Sequence, residues 1–183
     1  HAVWSTYGMT ETLSHIALRR LNGSESSEWY TPFSQVNLSL SAEGTLVIQA
    51  PSVNPKTLVT NDLATFNSQG QFRIIGRKDN VLNTGGVKVQ IEQVEALLQP
   101  LLPFAIQITG VPDPKFGERI VLLAETGESL NETQRRLLEE AFGNLPPYWR
   151  PKETIPLPSL PKTGSGKPDR AKARQIASEH INR

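Results

Sequence analysis

The twenty residues GRKDNVLNTGGVKVQIEQVE, Gly76–Glu95, join two kinds of sequence. Before them, Gln71–Ile75 alternates polar and apolar residues, the pattern of a half-buried strand. After them, Ile91, Val94, Leu97, Leu98 and Leu101 recur at helical spacing, so the end of the stretch opens an amphipathic helix that stops before Pro103. Between lie residues too polar for a core. Arg77 offers a rigid fork of donors suited to ribose oxygens or phosphate. Asp79 stands where one domain can end and another begin. Gly85 and Gly86 permit backbone conformations closed to other residues and let a slender ligand approach. The plain alternative is a charged connector with a tight hairpin turn.

Composition narrows the classes. The 183 residues are 37% hydrophobic and 20% charged, as in a globular protein, and the formal net charge is +1. So even a balance recruits neither nucleic acid nor an anionic membrane. With no cysteine there is no disulfide framework, thiolate chemistry or Cys-type zinc site, and His1, His15 and His180 lack metal-ligand spacing. No apolar run approaches the ~20 residues that cross a bilayer. The chain opens His-Ala-Val-Trp, already strand-like and without an initiator Met, which reads as a piece of a longer protein.

Outward from the central stretch, Thr6–Ser14 (TYGMTETLS) crowds hydroxyls around one carboxylate, Glu11. Thr10 can donate to a phosphate oxygen, and Glu11 supplies the hard oxygen that Mg²⁺ prefers beside substrate phosphates. The alternative is a capping segment, Thr10 or Thr12, for a helix through Ile16–Leu21. Val36, Leu38 and Leu40 alternate, Ala42-Glu43-Gly44 turns, and Leu46–Ile48 returns, a hairpin. Thr60-Asn61-Asp62 breaks the pattern as turn chemistry, although the Asp62 carboxylate can also accept two ribose hydroxyls.

Beyond Gly86 the chain reads as self-sufficient. Ala105–Thr109 and Ile120–Ala124 are strands around a loop with Pro112, Pro114 and Gly117. Asn131 and Gln134 have capping-box spacing before a helix that Gly143 and Pro146 end. Thr154–Leu157 is a further edge strand, and a last helix from about Asp169 buries Ala173, Ile176, Ala177 and Ile181. The fold class expected is α+β, a β-rich first part followed by a small α+β lobe. Before the last helix, Pro161–Arg170 (PKTGSGKPDR) presents Lys167 on a glycine-rich loop. A Walker loop would need Gly and Ser or Thr where Pro161 and Pro168 stand, so what remains is a single cation able to enter a site; the alternative is a solvated lysine.

Tyr7–Thr12 (YGMTET), Thr60-Asn61-Asp62, Gly76–Glu95 and Pro161–Arg170 occur in an order and spacing in which the chain resembles the C-terminal part of the acyl-adenylate-forming superfamily. That superfamily includes acyl- and aryl-CoA ligases, nonribosomal-peptide adenylation domains and luciferases. Within it the texture is most similar to the o-succinylbenzoate–CoA ligases of menaquinone synthesis. The resemblance implies residues 1–78 as the end of a large adenylate-binding domain and 79–183 as a mobile lobe. It implies ATP, Mg²⁺ and coenzyme A, a small carboxylic acid as substrate, no nucleic acid, no membrane insertion and a cytoplasmic setting.

Carried over to this sequence, Tyr7 would lie against adenine, Thr10 would contact the α-phosphate, and Glu11 would hold Mg²⁺. Asp62 and Arg77 would grip the ribose, and Asp79 would be the hinge. Gly86, with Lys88 nearby, would line the pantetheine path, and Lys167 would bridge carboxylate and phosphate during adenylation. The family commonly has Gly where Asn61 stands; Asn tolerates left-handed conformations better than most residues. The loop for the β- and γ-phosphates and much of the acyl pocket would lie upstream of His1. The missing N-terminal part of the same protein is therefore an expected partner, and the isolated chain is expected not to complete adenylation. A carrier-protein adenylation domain and a non-catalytic nucleotide- or CoA-binding lobe are the competing classes.

Overall fold

The computed structural model describes residues 1–181, and the chain divides into two compact units, the first ending at Asp79 and the second beginning at Asn80. The fold is α+β and rich in strands. In the first unit, β1 (Trp4–Gly8), β2 (His15–Arg20) and the short β3 (Thr31–Pro32) form an antiparallel sheet in that order. A second sheet is a meander of β4 (Asn37–Leu40), β5 (Thr45–Ala50), β6 (Asn54–Phe66) and β7 (Phe72–Arg77). Tyr30 and Phe72 exchange both backbone hydrogen bonds, at 2.7 and 3.0 Å, and so tie the sheets together. Ile16, Ala17, Leu46, Ile48, Ala64 and Phe72 form the shared core.

Two expectations fail here. Ile16–Leu21 is not helical: β2 pairs with β1 from Tyr7–Ala17 to Trp4–Arg20 and with β3 on its other side. The Thr12 hydroxyl does cap, but it caps its own turn, accepting from Met9 N at 3.0 Å, and Leu13 then takes a left-handed conformation (φ 55°) that turns the chain back as a strand. Thr60-Asn61-Asp62 is likewise no turn. It lies inside β6, where Val59 and Leu63 pair with Val47 and Thr45 of β5, so that the three residues stand against Leu46 alone, and Asp62 is opposite Arg77 of β7. That irregularity explains a polar trio in a strand, since bulges re-aim side chains.

The second unit opens with the hairpin β8 (Val81–Thr84) and β9 (Val87–Gln90). Its loop is Gly85-Gly86, with φ of 61° and 81°, the paired left-handed geometry that a two-residue hairpin turn requires. Helix α1 (Ile91–Leu98) follows, tightening into a 3-10 turn over Gln99–Leu101. Strands β10 (Ile106–Asp113) and β11 (Gly117–Glu125) pair antiparallel, α2 (Glu132–Gly143) crosses, β12 (Glu153–Leu157) runs parallel to β11, and α3 (Arg170–Ile181) closes the unit. β11 is central: β10 lies on one edge, with β8 and β12 sharing the other.

The sequence of β11 explains its place. Ile120, Leu122 and Ala124 face a core with α1 and α2, while Val121 and Leu123 face a second core with Ala173 and Ala177 of α3. Successive side chains point to opposite faces, so a strand covered on both sides reads as a continuous apolar run. The Asn131 capping box forms, with reciprocal hydrogen bonds to Gln134 at 2.9 Å. The expected loop between β10 and β11 is shorter than its prolines implied. Pro112 lies within β10, an edge strand that tolerates a missing donor, and the Asp113 carboxylate caps the turn by accepting from Lys115 N and Phe116 N, each at 2.9 Å. Those two N–H groups hold the Asp113 carboxyl below its ordinary range.

Candidate functional site

In the first unit a hydrogen-bonded chain joins residues that are far apart in sequence. Tyr7 leaves β1 with its ring edge-on to Phe72, centroids 5.2 Å apart, and its hydroxyl donates to Asp62 Oδ2 at 2.6 Å. Arg77, opposite Asp62 in register, donates from Nη1 to Asp62 Oδ1 at 3.2 Å and from Nη2 to Asp79 Oδ2 at 3.1 Å. Asn61 Nδ2 donates to that same Asp79 oxygen at 3.2 Å. Burial pushes the Tyr7 phenol well above its ordinary range, and the Asp62 carboxylate that accepts its proton adds to the effect. Tyr7 is therefore a fixed donor. The Asp62 side chain is 16% exposed, whereas Arg77 and Asp79 stand in solvent at 49% and 56%. A half-buried carboxylate with an exposed guanidinium beside it presents acceptors and donors together, the pairing that a sugar diol or a nucleotide needs.

Thr10 and Glu11 lie on the 3-10 turn after β1, both exposed and outside that chain of bonds. The Glu11 backbone carbonyl accepts from Asn54 Nδ2 at 3.0 Å, which fixes the turn while the residue stays exposed. Among the described residues no cluster of His, Cys, Asp or Glu builds a self-contained metal site. A single exposed carboxylate fits Mg²⁺ held mainly by substrate phosphates. A cavity of about 480 Å³ in this unit, lined in part by Trp4, Arg19, Trp29 and Phe33, holds none of the candidate site residues, while a shallower one of about 270 Å³ is lined by Thr6, Gly8, Met9 and Leu13 of the Thr6–Ser14 stretch.

In the second unit, Gly86 sits at the hairpin tip with open space around an imagined Cβ, and Lys88 is exposed on β9. Gly85 is more confined. Its N–H donates to Phe116 O at 2.8 Å, and a Cβ there would meet the Tyr148 ring at 3.1 Å. Lys167 is exposed, but its loop is not slack. Gly166 N donates to Thr163 O and Thr163 N to Lys167 O, both at 2.8 Å, and Asp169 N returns to Pro161 O at 3.0 Å. Asp169 then caps α3, its Oδ1 accepting from Lys172 N at 2.9 Å.

One pair escaped the sequence reading. Arg170 grips Glu95 of α1 with both forks, at 2.5 and 2.7 Å, and its Nη1 also donates to Ile108 O at 3.2 Å. Glu95 Oε1 accepts from Ile108 N at 2.7 Å, so both sides of one β10 residue are held. Burial alone would lower the arginine's affinity for its proton; the Glu95 carboxylate outweighs it and the guanidinium is held more firmly charged. The available signal was that these residues end the two informative stretches, Gly76–Glu95 and Pro161–Arg170.

Residues 105–167 match the model of the AMP-binding enzyme C-terminal domain family. The chain is 34% identical over 146 residues to the nonribosomal peptide synthetase ftmPS of Neosartorya fischeri, a match covering 69% of this chain and 6% of that protein. It is 24% identical over 197 residues to the 2-succinylbenzoate–CoA ligase of Listeria monocytogenes, covering 95% of this chain and 41% of the ligase. Among solved structures, ATP-bound MatB from Rhodopseudomonas palustris shares the fold with a TM-score of 0.78 at 22% identity, over 96% of this chain and 41% of that one. The chain thus spans well under half the length of these relatives.

Proposed function

We propose that this chain, the C-terminal portion of an adenylate-forming enzyme, serves an ATP-dependent acid–CoA ligase whose acid is o-succinylbenzoate. The observation that carries the reading is the bonded series Tyr7–Asp62–Arg77–Asp79, which gathers into one place the residues that the resemblance assigns to nucleotide and hinge. Support for the particular acid is the similarity to the Listeria 2-succinylbenzoate–CoA ligase along 95% of the chain.

In this reading Asp62 and Arg77 hold the ribose, with Asp62 kept in place by the Tyr7 hydroxyl while the Tyr7 ring meets adenine. Thr10 donates to the α-phosphate. Glu11 would hold Mg²⁺, which neutralises phosphate charge when bound. A carboxylate oxygen of the acid forms a bond to the α-phosphorus as the bond to the bridging oxygen breaks and pyrophosphate leaves. Two anions meet in that step, and Lys167 stabilises the charge they concentrate, an effect worth several kcal/mol when the donor is already oriented. The thiol sulfur of CoA then attacks the acyl carbon, AMP departs with the electron pair, and the thiol proton is released. That step needs other groups at the same carbonyl, so the lobe turns about Asp79 and brings the Gly86 and Lys88 region to the pantetheine arm.

A second reading, an adenylation domain that loads a carrier protein, is favoured by the similarity to the Neosartorya synthetase. The complete enzyme, given ATP and a panel of acids including o-succinylbenzoate, separates the two by whether free CoA accepts the acyl group. Lys167→Ala should lower acid-dependent pyrophosphate release by about 100-fold, the scale of one lost transition-state donor. An unchanged rate removes Lys167 from the mechanism, and reaction with amino or fatty acids alone removes o-succinylbenzoate.

A further inference from the structure

We infer that Arg170 and Glu95 are positioning residues for Lys167, fixing the root of its loop so that the ammonium group is aimed before substrate arrives. This rests on the proposed role of Lys167 in adenylation. Only two residues separate Lys167 from Arg170, and both are constrained: Pro168 has a fixed φ, and Asp169 is both the N-cap of α3 and the residue whose N–H closes the loop on Pro161. The loop above is bonded across itself, from Thr163 N to Lys167 O and from Gly166 N to Thr163 O. A hairpin held this way moves with its base rather than bending within. Its base is Arg170, and Arg170 is pinned by α1 through Glu95 and by β10 through Ile108.

The chemistry of the pin explains why it is an arginine and a glutamate. Both side chains are mostly withdrawn from water, at 24% and 20% exposure, and two parallel hydrogen bonds between planar groups fix direction as well as distance. Glu95 Oε1 also accepts from Ile108 N, and Arg170 spends a further donor on Ile108 O, so neither partner can turn without giving up a bond to the β10 backbone. Lysine at 170 would keep the charge and lose the fork. The sheet, α1 and the loop root are thereby one rigid body, with Lys167 at its tip.

The test uses the complete enzyme with MgATP and the acid that the panel identifies, and follows each half-reaction separately, the second from supplied acyl-adenylate and CoA. Arg170→Lys should slow adenylation turnover about 10-fold or more, because a misplacement near 1 Å can cost up to about 100-fold. KM for ATP and the thioester-forming rate should stay within about twofold of the parent, a range of only about 0.4 kcal/mol. In a Lys167→Ala background, Arg170→Lys should have no further effect on adenylation. Glu95→Gln, which keeps the shape and removes the charge, should behave alike and serves if the lysine variant folds poorly. A well-folded Arg170→Lys enzyme with parental adenylation overturns the inference, as does an equal fall in both half-reactions. If Lys167→Ala itself adenylates at the parental rate, the role proposed for Lys167 fails and the pin has nothing to aim. If Lys167→Ala is slow while Arg170→Lys is normal, only the inference fails.

Discussion

Adding one methyl group at Gly110 should destabilise the second unit, and the identity of its neighbour allows the cause to be isolated. Gly110 is buried in β10 opposite Ile120, and its φ is not in the left-handed region, so alanine can adopt its backbone. Space decides the outcome: a Cβ would lie 2.4 Å from Leu82 Cδ2, 3.0 Å from Cδ1 and 3.2 Å from Cγ. Leu82 is itself only 4% exposed, within the core shared with α1 and α2, so its side chain can shift only by displacing packed neighbours. Overpacking of this kind costs about 1–3 kcal/mol, against about 0.4–1 kcal/mol returned because alanine loses less freedom on folding than glycine. Crowding wins, and Gly110→Ala should lose about 1–2 kcal/mol in urea unfolding followed by far-ultraviolet circular dichroism. Leu82→Ala alone should cost about 2–5 kcal/mol through its cavity. The three close atoms all belong to Leu82, so in the Leu82→Ala background the sign should reverse and Gly110→Ala should stabilise by about 0.5 kcal/mol. Equal destabilisation in both backgrounds would refute the steric reasoning and place the cost in the backbone.

Two further outcomes follow from the first unit. Tyr7→Phe removes a hydroxyl donor from Asp62 and should cost about 1–2 kcal/mol at neutral pH, measured by urea unfolding. Because the folded phenol pKa is raised, that advantage should hold flat up to about pH 10, where unfolded tyrosine begins to ionise, and shrink above it; an advantage that grows with pH contradicts the assigned bond. Asn61→Ala removes one of two donors to Asp79 at an exposed site, so stability should change by less than about 0.5 kcal/mol. On the proposed function, the same change in the complete enzyme should alter the ratio of adenylation to thioester-forming rates by about twofold, and an unaltered ratio argues against a hinge at Asp79 that the Asn61 bond restrains.

Much of this was written locally. The α+β class, the hairpin β4–β5, the Gly85-Gly86 turn, the Asn131 cap and the face of α3 all follow from residues within a few positions of each other. The failures share the opposite property. β2 is a strand because β1 and β3 flank it, and Thr60–Asp62 is extended because β5 pairs on either side of it and β7 pairs with Asp62, partners that no short window contains. For the candidate site, Tyr7, Asp62, Arg77 and Asp79 were each named through the family resemblance, but the bond between Tyr7 and Asp62, 55 residues apart, was not. Glu95 and Arg170 lie 75 residues apart and were invisible for the same reason, since a glutamate on an amphipathic helix reads as solvent-facing until its partner is known.

The two groups of charges differ in their exposure to water, and the difference suits them to the separate mechanical roles proposed above. Asp79 is held by Arg77 and Asn61 at the surface, with the ion pair about half exposed on both sides, where such pairs contribute about 0–1 kcal/mol. Arg170 and Glu95 are largely withdrawn from water and share their hydrogen bonds with Ile108, and breaking such a pair by removing one partner costs about 3–5 kcal/mol. The exposed Asp79 contacts exchange readily with water, whereas opening the Arg170 contacts would also leave the Ile108 backbone groups without these partners. A lobe that turned with a loose loop would lose its aim at every turn, and one with a stiff joint could not turn. If Asp79 is the hinge proposed above, weak bonds there and stronger ones between residues 95 and 170 would let the joint yield while the lysine-bearing loop keeps its place on α1 and β10.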